Sequence, residues 1–312
     1  MTDYIATRDA YGKALAKLGE GDSRVVVLDA DLSGSTKTGI FAKKFPERFF
    51  NMGVAEQDLI GTAAGFALAG KIPFASSFAM FAVGRAWEIV RNSVAYPHLN
   101  VKICASHAGL TVGEDGASHQ IIEDLALTRV MPGMTVLVPA DATETEQMVK
   151  AAAAHEGPVY IRLGRSKVPQ LFDSSYQFKI GKANVIREGK DILLIACGIM
   201  VAPTLEAART LETQGIAATV VNCASIKPLD ADTIIPLAKK IGTVLTLEEH
   251  SIIGGLGSAI CELLGEFPGI AVHRHGVNDE WGQSAPAEVL LKHYKLMPED
   301  IVERVKKVRG QT

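Results

Sequence analysis

The chain has 312 residues, enough for two ordinary domains with complete hydrophobic cores. A net charge of −3 leaves no basic field for nucleic acid or an anionic membrane, and 47% hydrophobic with 21% charged residues excludes a disordered chain. The nearest basic cluster, Lys306, Lys307 and Arg309, lies in a C-terminal helical pattern and reads as a solvated helix face.

The N-terminal stretch is polar and lacks the apolar core of a secretory signal, and no apolar run is long enough to span a membrane. A cytoplasmic location is expected. Cys104, Cys197, Cys223 and Cys261 are scattered, with no CxxC pair and no His at ligand spacing. Three of them sit in or beside apolar segments and read as buried reduced thiols.

In chain order, Arg24–Leu28 reads as a buried strand, Asp58–Ala69 and Arg85–Val94 as helices and Lys102–Ser106 as a second strand. Thr135–Pro139 and Val159–Leu163 follow as strands, separated by an Ala-rich helix over Glu144–His155. Asp173–Gln177 is polar and reads as a linker. A second series then begins, with strands at Ile192–Ala196, Ala218–Asn222, Thr243–Leu247 and Ile270–Arg274. Continuous apolar strands alternating with helices predict α/β architecture, two domains, each a mainly parallel sheet flanked by helices. The boundaries are placed at 1–172 and 182–312.

Two loops concentrate polar groups. In the first, Asn51 to Gln57, Glu56 opens an apolar helix. A carboxylate there complements the helix dipole, and burial of that helix would put Glu56 in low dielectric, where it needs a partner. The second, Ser106 to Gln120, follows a strand end and holds two His, two carboxylates and three Gly. The His residues are far apart and no Cys is close, so no metal site is predicted. A polar substrate pocket with His as donor or proton shuttle suits the composition.

In this order, GVAEQ at 53–57, SSFAMF at 76–81 and SHAGLTVGEDGASHQ at 106–120 resemble the pyrimidine-binding domain of transketolases. The likeness continues through Val138–Glu144 and Tyr160–Arg165. It extends to Glu248-Glu249-His250, Gly254–Ser258 and Trp281–Ser284, covering nearly the whole chain. The family's diphosphate- and Mg²⁺-binding domain, with its GDG-type motif, has no counterpart. Gly116 lies inside the substrate loop, and Gly21-Asp22-Ser23 lacks the second Gly. The start at Met1 falls where the family's second domain begins, so the chain reads as the C-terminal subunit of a split transketolase.

The resemblance implies thiamine diphosphate as cofactor, with Mg²⁺ held by an N-terminal partner subunit in a dimer of heterodimers. It implies transfer of a two-carbon ketol unit between sugar phosphates. Glu56 would hydrogen-bond the pyrimidine N1′, Phe81 would stack on that ring with Phe78 shaping its pocket, and Asp31 would support the cofactor cavity. His107 and His119 would meet sugar oxygens and Asp115 a hydroxyl. Arg8, Ser35 and Arg165 would anchor phosphate. Gly84 stands where many relatives carry a third aromatic, and Glu114 receives no role. The C-terminal domain is expected mainly to support assembly. Rival readings are a deoxyxylulose-phosphate synthase-like half, a 2-oxo-acid dehydrogenase β-type subunit and a non-catalytic scaffold. His107 argues against the first, VGEDGxSHQ against the second, and Glu56 with both loop His residues against the third.

Overall fold

A computed structural model describes residues 4–310. Its strands are β1 (Tyr4–Ala6), β2 (Val25–Asp29), β3 (Phe49–Asn51), β4 (Ile72–Ser76), β5 (Lys102–Ala105), β6 (Thr135–Leu137) and β7 (Val159–Arg162). They continue with β8 (Lys167–Pro169), β9 (Asn184–Arg187), β10 (Ile192–Ala196), β11 (Ala218–Asn222), β12 (Ser225–Lys227), β13 (Thr243–Ser251) and β14 (Ala271–Val277).

One sheet has the order β12-β6-β7-β5-β4-β2-β3 and is parallel from β6 to β3. The other has the order β14-β13-β10-β11-β9 and is parallel except at β9. β1 and β8 form a separate antiparallel ribbon. Every residue of β2, β4, β5, β7, β10 and β11 is buried, as expected where helices cover both faces of a parallel sheet. Along β2 the strand period of two sends Val25 and Val27 into one core and Val26 and Leu28 into the other.

The two series of elements interlock. β12, which follows β11 in sequence, leaves the second sheet and pairs antiparallel with β6 at the edge of the first. The polar stretch after Leu171 also packs back. Tyr176 stacks on Phe172 with ring centroids 4.1 Å apart, and its hydroxyl donates to the buried Glu144 carboxylate.

Three local expectations need correction. The helix expected at Asp58–Ala69 runs Glu56–Leu68, and it is not buried throughout: Gln57, Asp58, Gly61, Gly65 and Leu68 are exposed. Only the face carrying Glu56, Leu59, Ile60, Ala63 and Ala64 is enclosed. The helix expected at Arg85–Val94 is instead wound wide at Met80–Arg85 and Val90–Ala95, either side of a short Trp87–Ile89 turn. The Ala86 N–H reaches back five residues to the Phe81 carbonyl at 3.2 Å, a winding that re-aims the side chains of one turn. Finally, β4 escaped sequence reading because Pro73 lacks a ladder donor. β5 pairs with β4 only from Phe74 onward, so the proline stands clear of that ladder. Among the described residues no helix is long and apolar enough to cross a membrane.

Candidate active site

The six parallel strands of the first sheet deliver their following loops to one rim, the C-terminal edge where open α/β sheets place ligands. After β2, the buried Asp29 carboxylate accepts from the Leu32 N–H at 2.6 Å and from the Thr36 and Thr38 hydroxyls at 2.6 and 2.8 Å. These bonds fix the turn that presents Ser35 and Lys37. Arg8, in the first turn of helix Thr7–Gly21, donates to the Ser35 carbonyl at 3.1 Å and meets His107 Nε2 at 3.1 Å.

His107 lies two residues beyond β5 with a left-handed φ of 60°, uncommon outside glycine. Its ring stacks on Phe78 with centroids 3.8 Å apart. A guanidinium can only donate, so Nε2 accepts from Arg8; the proton therefore sits on Nδ1, which donates to Ser106 Oγ at 2.8 Å. Burial, and then the nearby Arg8 and Arg165 cations, push the imidazolium pKa down to about 3. His107 is thus a neutral imidazole at physiological pH.

A cavity of about 470 Å³ is lined by Arg8, Ser35, Phe78, His107, Asp115, His119 and Arg165. These are all the residues read from the sequence as substrate contacts, together with Phe78. Gly34 and Lys37 complete the wall and were not anticipated. Lys37 lies 3.4 Å from Asp9 and brings a third cation to the Arg8 and Arg165 side. Arg165 pairs with Asp115 at 3.3 Å, and His119 Nδ1 lies 3.0 Å from Ser118 Oγ.

Beside this cavity, Glu56 is 2% exposed and takes a 2.8 Å ion pair from Arg85. The Arg85 guanidinium also lies over the Phe81 ring, 4.7 Å from its centroid. A planar, N–H-bearing group held between an aromatic face and a buried carboxylate is also the shape and donor set of an aminopyrimidine, so these residues fit one. Phe81 stands edge-on to His119 at 5.2 Å and so joins the two clusters. Asp31 is not brought in. It is exposed, outside the cavity lining, and accepts from Asn51 at 2.8 Å. Among the described residues no three or more His, Cys, Asp or Glu are grouped to hold a metal ion.

Sequence reasoning missed Arg85 and Lys37. Arg85 had a signal: it follows Phe81 by four residues in a helical stretch, hence on the same face. Lys37 had none.

The arrangement defines a two-sheet α/β protein with a polar, cation-lined ligand site at the C-terminal rim of a parallel sheet. Residues 3–170 match the family model for the transketolase pyrimidine-binding domain, and residues 181–301 match that for the transketolase C-terminal domain. The chain belongs to the transketolase family. A solved structure described as a split gene transketolase, inactive β4 tetramer, is similar at 58% identity and a TM-score of 0.92, covering 98% of this chain and 99% of that one. A Methanocaldococcus jannaschii protein, provisionally named a transketolase C-terminal section, is 50% identical over 97% of this chain and 96% of its own length. The 6-deoxy-6-sulfo-D-fructose transketolase subunit of Clostridium sp. strain MSTE9 is 41% identical over 96% of this chain and 94% of its own length. These relatives of matching length are split or C-terminal transketolase chains.

Proposed function

We propose that this chain is the cytoplasmic C-terminal subunit of a split transketolase, with residues 1–172 as pyrimidine-binding domain and 182–312 as C-terminal-like domain. It moves a two-carbon ketol unit from a ketose phosphate to an aldose phosphate when joined to an N-terminal chain in a dimer of heterodimers. The observation that carries this reading is the single cavity gathering Arg8, Ser35, His107, Asp115, His119 and Arg165 next to the Glu56–Phe81 cluster.

Thiamine diphosphate, when bound, supplies the nucleophilic carbon and the electron sink for C–C cleavage. Glu56 holds the pyrimidine N1′ by a hydrogen bond in an enclosed site where water competes little, and Phe81 gives that ring its stacking face. The partner chain carries Mg²⁺ and grips the diphosphate. Arg8, Lys37 and Arg165 form the cationic end of the cavity and orient a terminal phosphate, Arg by its planar fork and Lys as a point charge. The sulfonated sugar in the name of the Clostridium relative carries a comparable tetrahedral oxyanion. Neutral His107 accepts from a sugar hydroxyl at Nε2 in place of the Arg8 donor, without adding charge; His119 shuttles a proton at the substrate carbonyl oxygen, and Asp115 accepts from a sugar hydroxyl.

The test mixes the purified chain with a candidate N-terminal chain, thiamine diphosphate, Mg²⁺, xylulose 5-phosphate and an aldose phosphate. Turnover is expected only in the mixture. Robust turnover by this chain alone would overturn the half-site reading. The inactive tetramer described for the similar split-gene protein supports the expected silence of the isolated chain.

A further inference from the structure

Beyond the short turn Leu110–Val112, the loop Ser106–Gln120 forms no helix or strand. His107 and the three glycines Gly109, Gly113 and Gly116 all have positive φ, at 60°, 83°, 88° and 76°. Such a segment needs outside anchors to present side chains at fixed positions. Some come from the first half, where the Ala108 N–H donates to the Leu163 carbonyl and Ser166 Oγ to the Thr111 carbonyl, both at 3.3 Å. Others come from the second half of the chain. Glu249, on β13, is 3% exposed, and its Oε1 accepts from the Thr111 N–H at 2.6 Å. A Cβ at Gly109 would lie 2.4 Å from the Glu249 carboxyl carbon, so glycine is required for the loop to settle on that carboxylate.

The other carboxylate oxygen of Glu249 lies 3.8 Å from Arg162, at the end of β7. Arg162 is fixed in turn by Asp124 at 2.9 Å and by the Glu249 carbonyl at 2.9 Å. Three residues beyond Arg162 is Arg165, and four residues before Thr111 is His107. One buried carboxylate therefore ties together the two chain segments that bring His107 and Arg165 to the cavity lining. Two further ties act at the far end of the loop. Gln120 Nε2 donates to the Gln283 carbonyl at 2.8 Å, and Ser284 Oγ donates to the Glu114 carbonyl.

We propose that Glu249 is a positioning residue: from the C-terminal half it sets the separation of His107 and Asp115 from Arg165, which makes that half a working part of the substrate site. The inference rests on the loop being the substrate loop of a transketolase. Glu249 makes none of the contacts of the Glu56–Arg85–Phe81 cluster, so its effect is confined to the sugar side.

The experiment combines hydrogen exchange on the intact chain with kinetics of the two-chain complex. Glu249→Ala is expected to speed exchange across the 106–120 peptide by about tenfold or more, while β4 and β10 keep wild-type protection. In the complex it should lower kcat/KM for the sugar phosphate roughly 10- to 100-fold, with cofactor affinity within about twofold of wild type. Glu249→Gln, which keeps an oxygen for the Thr111 N–H, should restore most of both readouts. Gly109→Ala presses on the carboxylate from the loop side and should reproduce the exchange pattern if Glu249→Ala does not fold. Wild-type loop exchange in folded Glu249→Ala, or equal loosening of every peptide in either variant, would overturn the proposal. A wild-type complex that turns over no sugar phosphate would instead overturn the functional reading, and the exchange result would still decide whether Glu249 holds the loop.

Discussion

At the rim of the first sheet, Arg8, Lys37, Asp115, His119 and Arg165 face a cavity. At the corresponding strand ends of the second sheet, Glu248, Glu249 and His250 are enclosed and bonded to backbone. Glu248 accepts from the Leu256 and Gly257 N–H groups at 2.6 and 2.8 Å, where it caps the helix Leu256–Leu264. His250 Nε2 accepts from the Leu125 N–H at 3.2 Å, and its Nδ1 donates to the Ser251 carbonyl at 2.7 Å. Both rims come from the same parallel architecture. The difference lies in whether hydrogen-bonding capacity is left for a ligand or consumed within the protein, by Glu248 in capping a helix and by Glu249 and His250 in holding one half of the chain against the other. Recognition belongs to the open rim, and the closed rim supplies its frame.

The largest expected effect falls on the open rim. In the two-chain complex, Glu56→Ala should reduce turnover by roughly 10²- to 10⁴-fold, the range for losing a group that controls proton transfer. Single-turnover kinetics at saturating cofactor would separate this from weaker cofactor binding. Near-normal turnover would remove Glu56 from the chemistry and leave it as a structural partner of Arg85.

Next come the cations. Arg165→Ala removes a charge-assisted donor worth about 1.5–3 kcal/mol, so kcat/KM should fall roughly 10- to 150-fold, chiefly through KM. Arg165→Lys should recover only part, because the fork is lost and the charge kept. If Arg165→Ala lowered kcat with KM unchanged, the cationic end would not be a simple phosphate anchor.

The two rims should also differ in pH response. Burial pushes Glu248 and Glu249 up to about 7 from an ordinary 4.5, against the backbone hydrogen bonds and Arg162, which pull them down. A raised carboxyl gives stability that is present below its unfolded pKa and is lost as pH rises through its folded pKa. Burial pushes His107 down to about 3 and His250 to about 4, so they contribute stability above about 6.5 that is lost as pH falls toward those values. The two trends oppose each other between about pH 4.5 and 6.5, and above that the acids dominate. The melting midpoint of the chain alone should therefore decline from about pH 6.5 to 7 and stop declining above that, where the acids are ionised and Lys102, lowered to about 7 by burial, adds stability as pH rises. Ring nitrogen shifts of His107 should stay flat from pH 8 to 5. A His107 titration near 6.5 would mean that the cavity is wetter than its geometry implies.

Legibility divided along the same line. Apart from β4, the long buried strands of both sheets could be read because continuous Val, Ile and Leu runs serve no other purpose, and Ile192–Ala196 and Ala218–Asn222 match residue for residue. The short strands β1, β3, β8, β9 and β12 were silent, since runs of three or four residues of mixed composition resemble loops. On the open rim, short motifs carried Glu56, Phe81, His107 and Asp115 because site chemistry clusters along the chain. The roles of the closed rim stayed hidden. Thr111 and Glu249 are 138 residues apart, and nothing local in either segment reports the bond between them. The wide winding at Met80–Arg85 was equally opaque, because its composition is that of an ordinary helix.

The smallest effect is expected where a predicted site residue lies beyond the cavity. Asp31 has a φ of 63° and accepts one hydrogen bond, from Asn51, at an exposed position. Asparagine tolerates the left-handed region nearly as well as aspartate and can present an oxygen to the same donor. Asp31→Asn should therefore change stability by no more than about 0.5 kcal/mol and leave cofactor affinity in the complex within about threefold. Asp31→Val, whose branched Cβ resists that φ, should cost about 1–2 kcal/mol in stability yet still leave affinity unchanged. Loss of cofactor affinity in Asp31→Asn at wild-type stability would show that the carboxylate's charge acts on the ligand. The open rim would then extend past the cavity to the β2–β3 edge, and its boundary would be electrostatic rather than one of contact.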